Sequence, residues 1–182
     1  MRNTFIAVIV AMLGLVVPAA AQSPFTDIEL RGGIFAHSVD DNMLTLSRIE
    51  DLNVELLIGL PAIDEAVRVG RFRPHIGGTF NFNGRESMVY GGISWTIPVF
   101  DTPFFVEASL GGTVHDGDIN GATYPRRDLG CRVLFRESFS LGYNITDQAS
   151  IMLTAEHASH ASMCGSLNQG LTNLGVRVGW KF

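Results

Sequence analysis

Lysine is almost absent from this chain. Of its 13 basic residues only Lys181 is a lysine, and the rest are arginine. Acidic residues number 18, so the formal net charge is −5. A nucleic-acid partner favours a basic surface, and this balance excludes one. Cysteine occurs twice, at Cys131 and Cys164. Long hydrophobic runs are missing too. After the first 21 residues no stretch reaches 18 apolar residues, which excludes a helical membrane protein, because a spanning helix needs about 20. Charged residues make up only 17% and hydrophobic ones 46%, which excludes a disordered chain. The 182 residues allow one domain. What is abundant is glycine, with 20 residues. An apolar, glycine-rich chain without helical spans points to an alternating β-protein, one that sits in lipid.

Residues 1–21 read as a secretory signal peptide. Arg2 is the positive start, Phe5 to Val17 the apolar stretch, and Ala19-Ala20-Ala21 the small-residue cleavage site. The mature domain is then 22–182, beginning at Gln22, with 12 basic residues, 18 acidic ones and a net charge of −6. No cysteine follows the apolar stretch, so a lipoprotein is not indicated. The two cysteines lie in an oxidising compartment where a disulfide persists.

The period of the mature chain is two. Leu174, Val176, Val178, Trp180 and Phe182 alternate with Gly175, Arg177, Gly179 and Lys181. Such a strand has lipid on one side and a polar interior on the other. Its terminal Phe182 is similar to the closing signature of outer-membrane barrels. Comparable segments predict strands near 28–37, 51–59, 72–82, 87–97, 103–114, 130–143, 149–160 and 172–182. Each has the length of a tilted membrane strand, and eight is an even number, as bacterial barrels require. The expected fold is all-β, an eight-stranded antiparallel transmembrane β-barrel. The connection from Pro61 to Phe72 stays open between a short helix and an extended turn. With both termini periplasmic, 115–129 and 161–171 are outer loops. Cys131, at the outer end of the sixth strand, and Cys164 then share one side. A disulfide between them and two free thiols both stay open, because sequence does not set Cα spacing.

In the seventh strand, alternation puts Ile151, Leu153, Ala155, His157 and Ser159 on one face. Its apolar start marks that as the lipid face. A His and a Ser there cost desolvation unless paired. Two positions apart on one face, they are close enough for His to activate Ser as a nucleophile. A nucleophile facing lipid meets a lipid ester. The plainer alternative is a polar pair at the headgroup boundary.

The stretches Glu156-His157-Ala158-Ser159-His160-Ala161, Asn168-Gln169-Gly170-Leu171, Leu174-Gly175-Val176-Arg177 and Trp180-Lys181-Phe182 carry a resemblance. So do Arg73-Pro74-His75-Ile76-Gly77, Tyr90 to Trp95 and Arg132 to Glu137. The chain resembles outer-membrane lipid A 3-O-deacylases of the PagL type, also called acyloxyacyl hydrolases. The resemblance implies an eight-stranded barrel with a serine-hydrolase site on its outer wall, working without metal or cofactor. It implies lipopolysaccharide modification, by removal of the 3-linked acyl chain of lipid A. His157 is then the base and Ser159 the nucleophile. The family's usual acid follows the Asn-x-Gly of the last loop, a position held here by Thr172. The family usually has Asn after the Ser, where this chain has His160.

A substitute acid is available. Val133, Phe135, Phe139 and Leu141 share a face with Glu137. A turn near 146–147 sets Glu137 opposite His157, within reach of its ring. Glu137 therefore either orients and charges His157, or turns at a bulge into the lumen to meet Arg136 or Arg177. Glu156 has lumenal parity and suits an interior Arg. His160 either replaces the family's Asn or simply begins the loop, the second being favoured, and His75 and His115 are expected to be structural. Backbone N–H groups near Asn168 and Gly170 are the expected oxyanion donors. Arg126 and Arg127 suit either a lipid phosphate or a solvated loop. Expected partners are lipid A, as part of lipopolysaccharide, and outer-membrane lipid, with a homodimer left open. The leading reading is an outer-membrane serine esterase. Two others stand beside it: a structural or adhesive barrel with a decayed site, and a soluble lipocalin-like carrier.

Overall fold

The computed structural model describes residue 25, residues 27–39 and residues 48–182. The expected export segment 1–21 lies outside the described residues. Eight strands follow in order: β1 (Ile28–Ala36), β2 (Ile49–Ile58), β3 (Arg71–Asn81), β4 (Met88–Pro98), β5 (Phe104–His115), β6 (Val133–Asn144), β7 (Ala149–Ser159) and β8 (Leu171–Lys181). Each pairs antiparallel with its neighbours in sequence, and β8 returns to β1, closing the barrel. Closure leaves no open edge, so every strand has ladder partners on both sides. Alternation then sorts the side chains. Ile34, Ile76, Leu110, Val133, Phe139, Leu153 and Val178 are exposed on the outer wall, while Arg31, Arg136 and Arg177 are buried inside. An apolar outside around a polar inside is the arrangement that suits a bilayer.

Two details differ from the sequence expectation. The sixth strand starts at Val133 rather than at 130. Gly130 sits at φ +73° and the Cys131 N–H donates to the Leu129 carbonyl, so the chain is still turning there. Cys131 therefore belongs to the preceding loop and not to the strand. The open connection after Pro61 contains a short helix, α1 (Pro61–Ala66), with Pro at its start and Asp64 in its first turn. Pro has no N–H to lose at that position.

The barrel interior is filled by charge. Arg31 bonds Glu29 at 2.8 Å, Glu55 at 3.2 Å and Glu107 at 2.5 Å. Arg177 holds Glu55 at 2.8 Å, Arg136 holds Glu156 at 2.8 Å, and Arg73 holds Glu29 at 2.5 Å. Four arginines thus meet four glutamates, so the network is neutral. Arg136 also lies 3.6 Å over the Tyr90 ring, and Ser109, Ser140 and Thr154 accept further guanidinium hydrogens. Glu156 falls inside, as its parity required. Much of the arginine excess is explained here, because a planar fork can serve several carboxylates at once. Glu55 touches both Arg31 and Arg177. Glu55→Ala leaves those charges short of a partner, and the expected loss is about 3–5 kcal/mol, read by urea unfolding in detergent micelles.

A second knot closes the loop end. His37, just past β1, shares Nδ1 with Asp51 at 2.9 Å and Nε2 with Glu86 at 2.9 Å, all fully buried. Burial alone lowers the His37 pKa, but the two carboxylates outweigh it and hold the ring charged, with a pKa pushed up to about 9. A histidine raised above its ordinary 6.5 stabilises the fold fully below that pH, and the contribution fades as pH rises through about 9. Unfolding free energy is therefore expected to fall between those limits, and His37→Gln to flatten that part of the curve.

Candidate active site on the outer wall

His157 and Ser159 stand on the outer face of β7, both half-buried. The β6–β7 register places Glu137 directly opposite His157 and Phe135 opposite Ser159. The β7–β8 register places Thr172 on the other side of His157. Glu137, His157 and Thr172 thus form one row across three strands. No bulge interrupts β6 on the way, and Glu137 is exposed on the outer wall. That overturns the alternative in which it turned inward to Arg136 or Arg177.

The two neighbours of His157 are not equivalent. The Val39 N–H donates to the Thr172 carbonyl, so the Thr172 backbone faces β1 and not β7. His157 and Thr172 are therefore a non-hydrogen-bonded pair, the kind whose Cα atoms lie only about 4.5 Å apart. At the β6–β7 turn the Ile145 N–H donates to the Ala149 carbonyl. By alternation, Glu137 and His157 then exchange backbone bonds, a pair set about 5.5 Å apart. The closer neighbour takes the ring: His157 Nδ1 and Thr172 Oγ1 are 2.8 Å apart. Glu137 makes no hydrogen bond or ion pair among the described residues.

Below this row lies a hollow of about 350 Å³, lined by Ala108, Glu137, Phe139, Ala155, His157 and Thr172. It exists because Ala108 and Ala155 flank Phe139 where large apolar residues cover the rest of the wall. Two alanines among leucines and valines of the same parity were the sequence signal for it, and sequence reasoning passed over them.

Above the row, the ladder between β7 and β8 ends at Ala158–Leu171, and Ser159 and Gly170 are the next residues of the two segments. Gly170 has φ +65°, and a Cβ there would lie 3.0 Å from His157 Cε1 and 3.5 Å from its Nε2. The Cε1–Nε2 edge of the ring thus faces Gly170. Arg127 holds this corner from behind. Its guanidinium donates to the Gly170 carbonyl at 2.7 Å and the Gln169 carbonyl at 3.1 Å. C=O and N–H of a trans peptide point opposite ways, so the Gly170 N–H is turned away from Arg127. Asn168, beside them, is half-buried with its amide oxygen unpartnered.

The last loop is fastened at three more points. Cys131 and Cys164 form a disulfide with Cα atoms 5.8 Å apart. His160, only 1% exposed, bonds the Leu167 carbonyl at 2.7 Å and accepts from the Cys164 N–H at 3.4 Å. It pins the loop and does not merely begin it. The Asp128 N–H donates to Gln169 Oε1 at 2.7 Å. Cys131, His160 and Cys164 are the one group among the described residues spaced for a metal ion, but the disulfide occupies both sulfurs and these bonds occupy the ring. Arg126 and Arg127 are not a solvated pair. Arg126 clamps Asp118 at 3.0 Å, and Arg127 is 7% exposed. His75 is buried against Ser94 at 3.0 Å and His115 bonds the Cys131 carbonyl at 2.6 Å, both away from the site.

A family profile described as lipid A 3-O-deacylase (PagL) matches residues 77–181, more than half of the chain. The chain belongs to the PagL family. The crystal structure of the outer membrane enzyme PagL is similar in fold, with a TM-score of 0.56 at 14% identity, covering 84% of this chain and 98% of that one. The N-terminal β-barrel domain of Pseudomonas aeruginosa OprF gives 0.58 at 10% identity, over 87% and 98%. A de novo designed transmembrane β-barrel gives 0.52 at 8%, over 90% and 100%. No curated protein matches the chain. The PagL match takes in the whole Glu137–His157–Thr172 row and the last loop.

Gly170→Ala places a side chain against His157 at a left-handed position. Its expected cost is about 1–3 kcal/mol from strain, increased by the contact with the ring. Gly165→Ala meets nothing within 4 Å at φ +108° and carries strain alone. Urea titration of both variants is expected to show the larger loss at Gly170.

Proposed function

We propose that this protein is an outer-membrane serine esterase that removes the 3-linked acyl chain from lipid A. The observation that carries this reading is a His–Ser pair on the lipid-facing wall of a PagL-family barrel, its His already held by a neighbour. A diffusible substrate has no reason to be met there. A lipid in the outer leaflet arrives sideways, with its ester near the rim and its chains along the wall. The hollow below His157 suits an acyl chain, because small side chains leave room beside apolar ones.

With Thr172 Oγ1 accepting from Nδ1–H, His157 Nε2 keeps its lone pair. It takes the Ser159 proton as Ser159 Oγ bonds the ester carbonyl carbon. The carbonyl oxygen gains negative charge, and the outward Gly170 N–H is a suitable donor for it, with Asn168 at its side. Collapse breaks the bond to the sugar oxygen, which receives the proton from His157. Water then repeats the attack on the acyl-enzyme, giving the free fatty acid and restoring Ser159. No step calls on a metal or cofactor.

The structural or adhesive barrel remains the second reading, favoured by the lack of a carboxylate at position 172. Mass spectrometry of lipid A from cells expressing each form separates the two. Wild-type protein is expected to produce lipid A lighter by one 3-linked acyl chain, and Ser159→Ala to leave it intact. Unmodified lipid A from both, with the wild type folded in the membrane, would sink the esterase reading.

A further inference from the structure

We propose that two side chains divide the work that one carboxylate performs in a Ser-His-Asp triad: Thr172 orients His157, and Glu137 stabilises the charge it acquires. The inference rests on the esterase reading above.

A triad acid has two separable effects. It fixes the tautomer and direction of the imidazole, and it stabilises the imidazolium formed when the Ser proton moves. Thr172 is built for the first effect. It sits on the close cross-strand pair and meets Nδ1 at 2.8 Å. A neutral hydroxyl cannot supply the second effect, since it carries no charge.

Glu137 has the complementary properties. It is paired to His157 through the wider, backbone-bonded register, so its side chain flanks the ring without taking Nδ1. Its outward neighbours are Leu110 across the sheet and Phe135 and Phe139 along the strand. The barrel's other charges near this level, Arg136 and Glu156, point inward and bond each other. A carboxylate on an apolar wall, with no ion pair among the described residues, has a cost and no structural return. That cost is explained if a cation appears beside it during the reaction. Substrate on the wall displaces water from the row, and a less polar surrounding strengthens the attraction between carboxylate and imidazolium. Both are positioning residues, acting through His157.

The test is single-turnover and steady-state deacylation of lipid A by purified, detergent-folded variants, with the folded band in unheated gel electrophoresis as the check on each barrel. Ser159→Ala tests the esterase reading and is expected to lose all activity. Glu137→Gln is expected to lower kcat by roughly 100-fold with KM little changed. Thr172→Val is expected to lower kcat by a similar order through loss of orientation. The deciding variant is the double change Glu137→Gln with Thr172→Glu. One carboxylate on the close pair then serves both effects, and kcat is expected to return to within about tenfold of wild type. A structural role for Glu137 would not be rescued by a carboxylate on a different strand. Wild-type kcat in Glu137→Gln, with Ser159→Ala inactive, overturns the division while leaving the esterase reading standing. Failure of the double variant to recover, in a folded barrel, overturns it as well. Activity in Ser159→Ala overturns the esterase reading itself, and the division with it.

Discussion

A peptide group in hydrocarbon has no water to bond, so every strand must find partners along both edges. In this chain that requirement is met by eight strands closing on themselves, with β8 returning to β1. Closure fixes the parity of every residue. Odd and even positions become wall and interior for the length of each strand, and a side chain cannot change sides without a bulge. The neutral set of four arginines and four glutamates follows from this. An eight-stranded barrel has an interior just wide enough for side chains to fill, and these eight charges neutralise one another there at 2.5–3.2 Å.

The same rule explains why a polar row on the outside is unusual. Glu137, His157 and Thr172 stand at wall positions of three adjacent strands. Around them the outer wall is apolar, and inside them the network is already complete. Their arrangement is set less by attraction between them than by the ladder. The hydrogen-bonding phase of each strand pair decides which neighbour of His157 is near and which is farther. Thr172 is near and takes Nδ1. The loop above them is fastened by Arg127, His160 and the disulfide, and its Gly170 turns against the His157 ring.

Much of the fold was legible because alternation is a local property. Leu174 to Phe182 reads as a strand with one apolar face, and all but Phe182 lies in β8. Counting across a short turn near 146–147 put Glu137 opposite His157, and the register agrees. The turn is short, so little freedom intervenes between the two strands. The longer loops were less readable. Cys131 was expected in a strand and lies in a turn, since Gly130 adopts a left-handed conformation that composition does not announce. His160 was expected merely to begin a loop and is buried as its pin. Arg126 and Arg127 had no partners visible in sequence, because loop packing supplies them: Asp118 and the Gly84 carbonyl for Arg126, the Gly170 carbonyl for Arg127.

By itself the sequence determined the strands, their facing and the family resemblance at 156–182, because each depends on period two or on adjacent residues. It also placed His157 and Ser159 on the greasy face. Only the tertiary structure decided that Thr172, rather than Glu137, holds the ring. That choice depends on which cross-strand pair is the close one, and therefore on the bonding phase of β8 against both β7 and β1. Likewise the hollow at Ala108 and Ala155, and the grip of Arg127 on Gly170, join residues far apart in the chain. Contacts of that kind arise from barrel closure and loop packing, which no local pattern records.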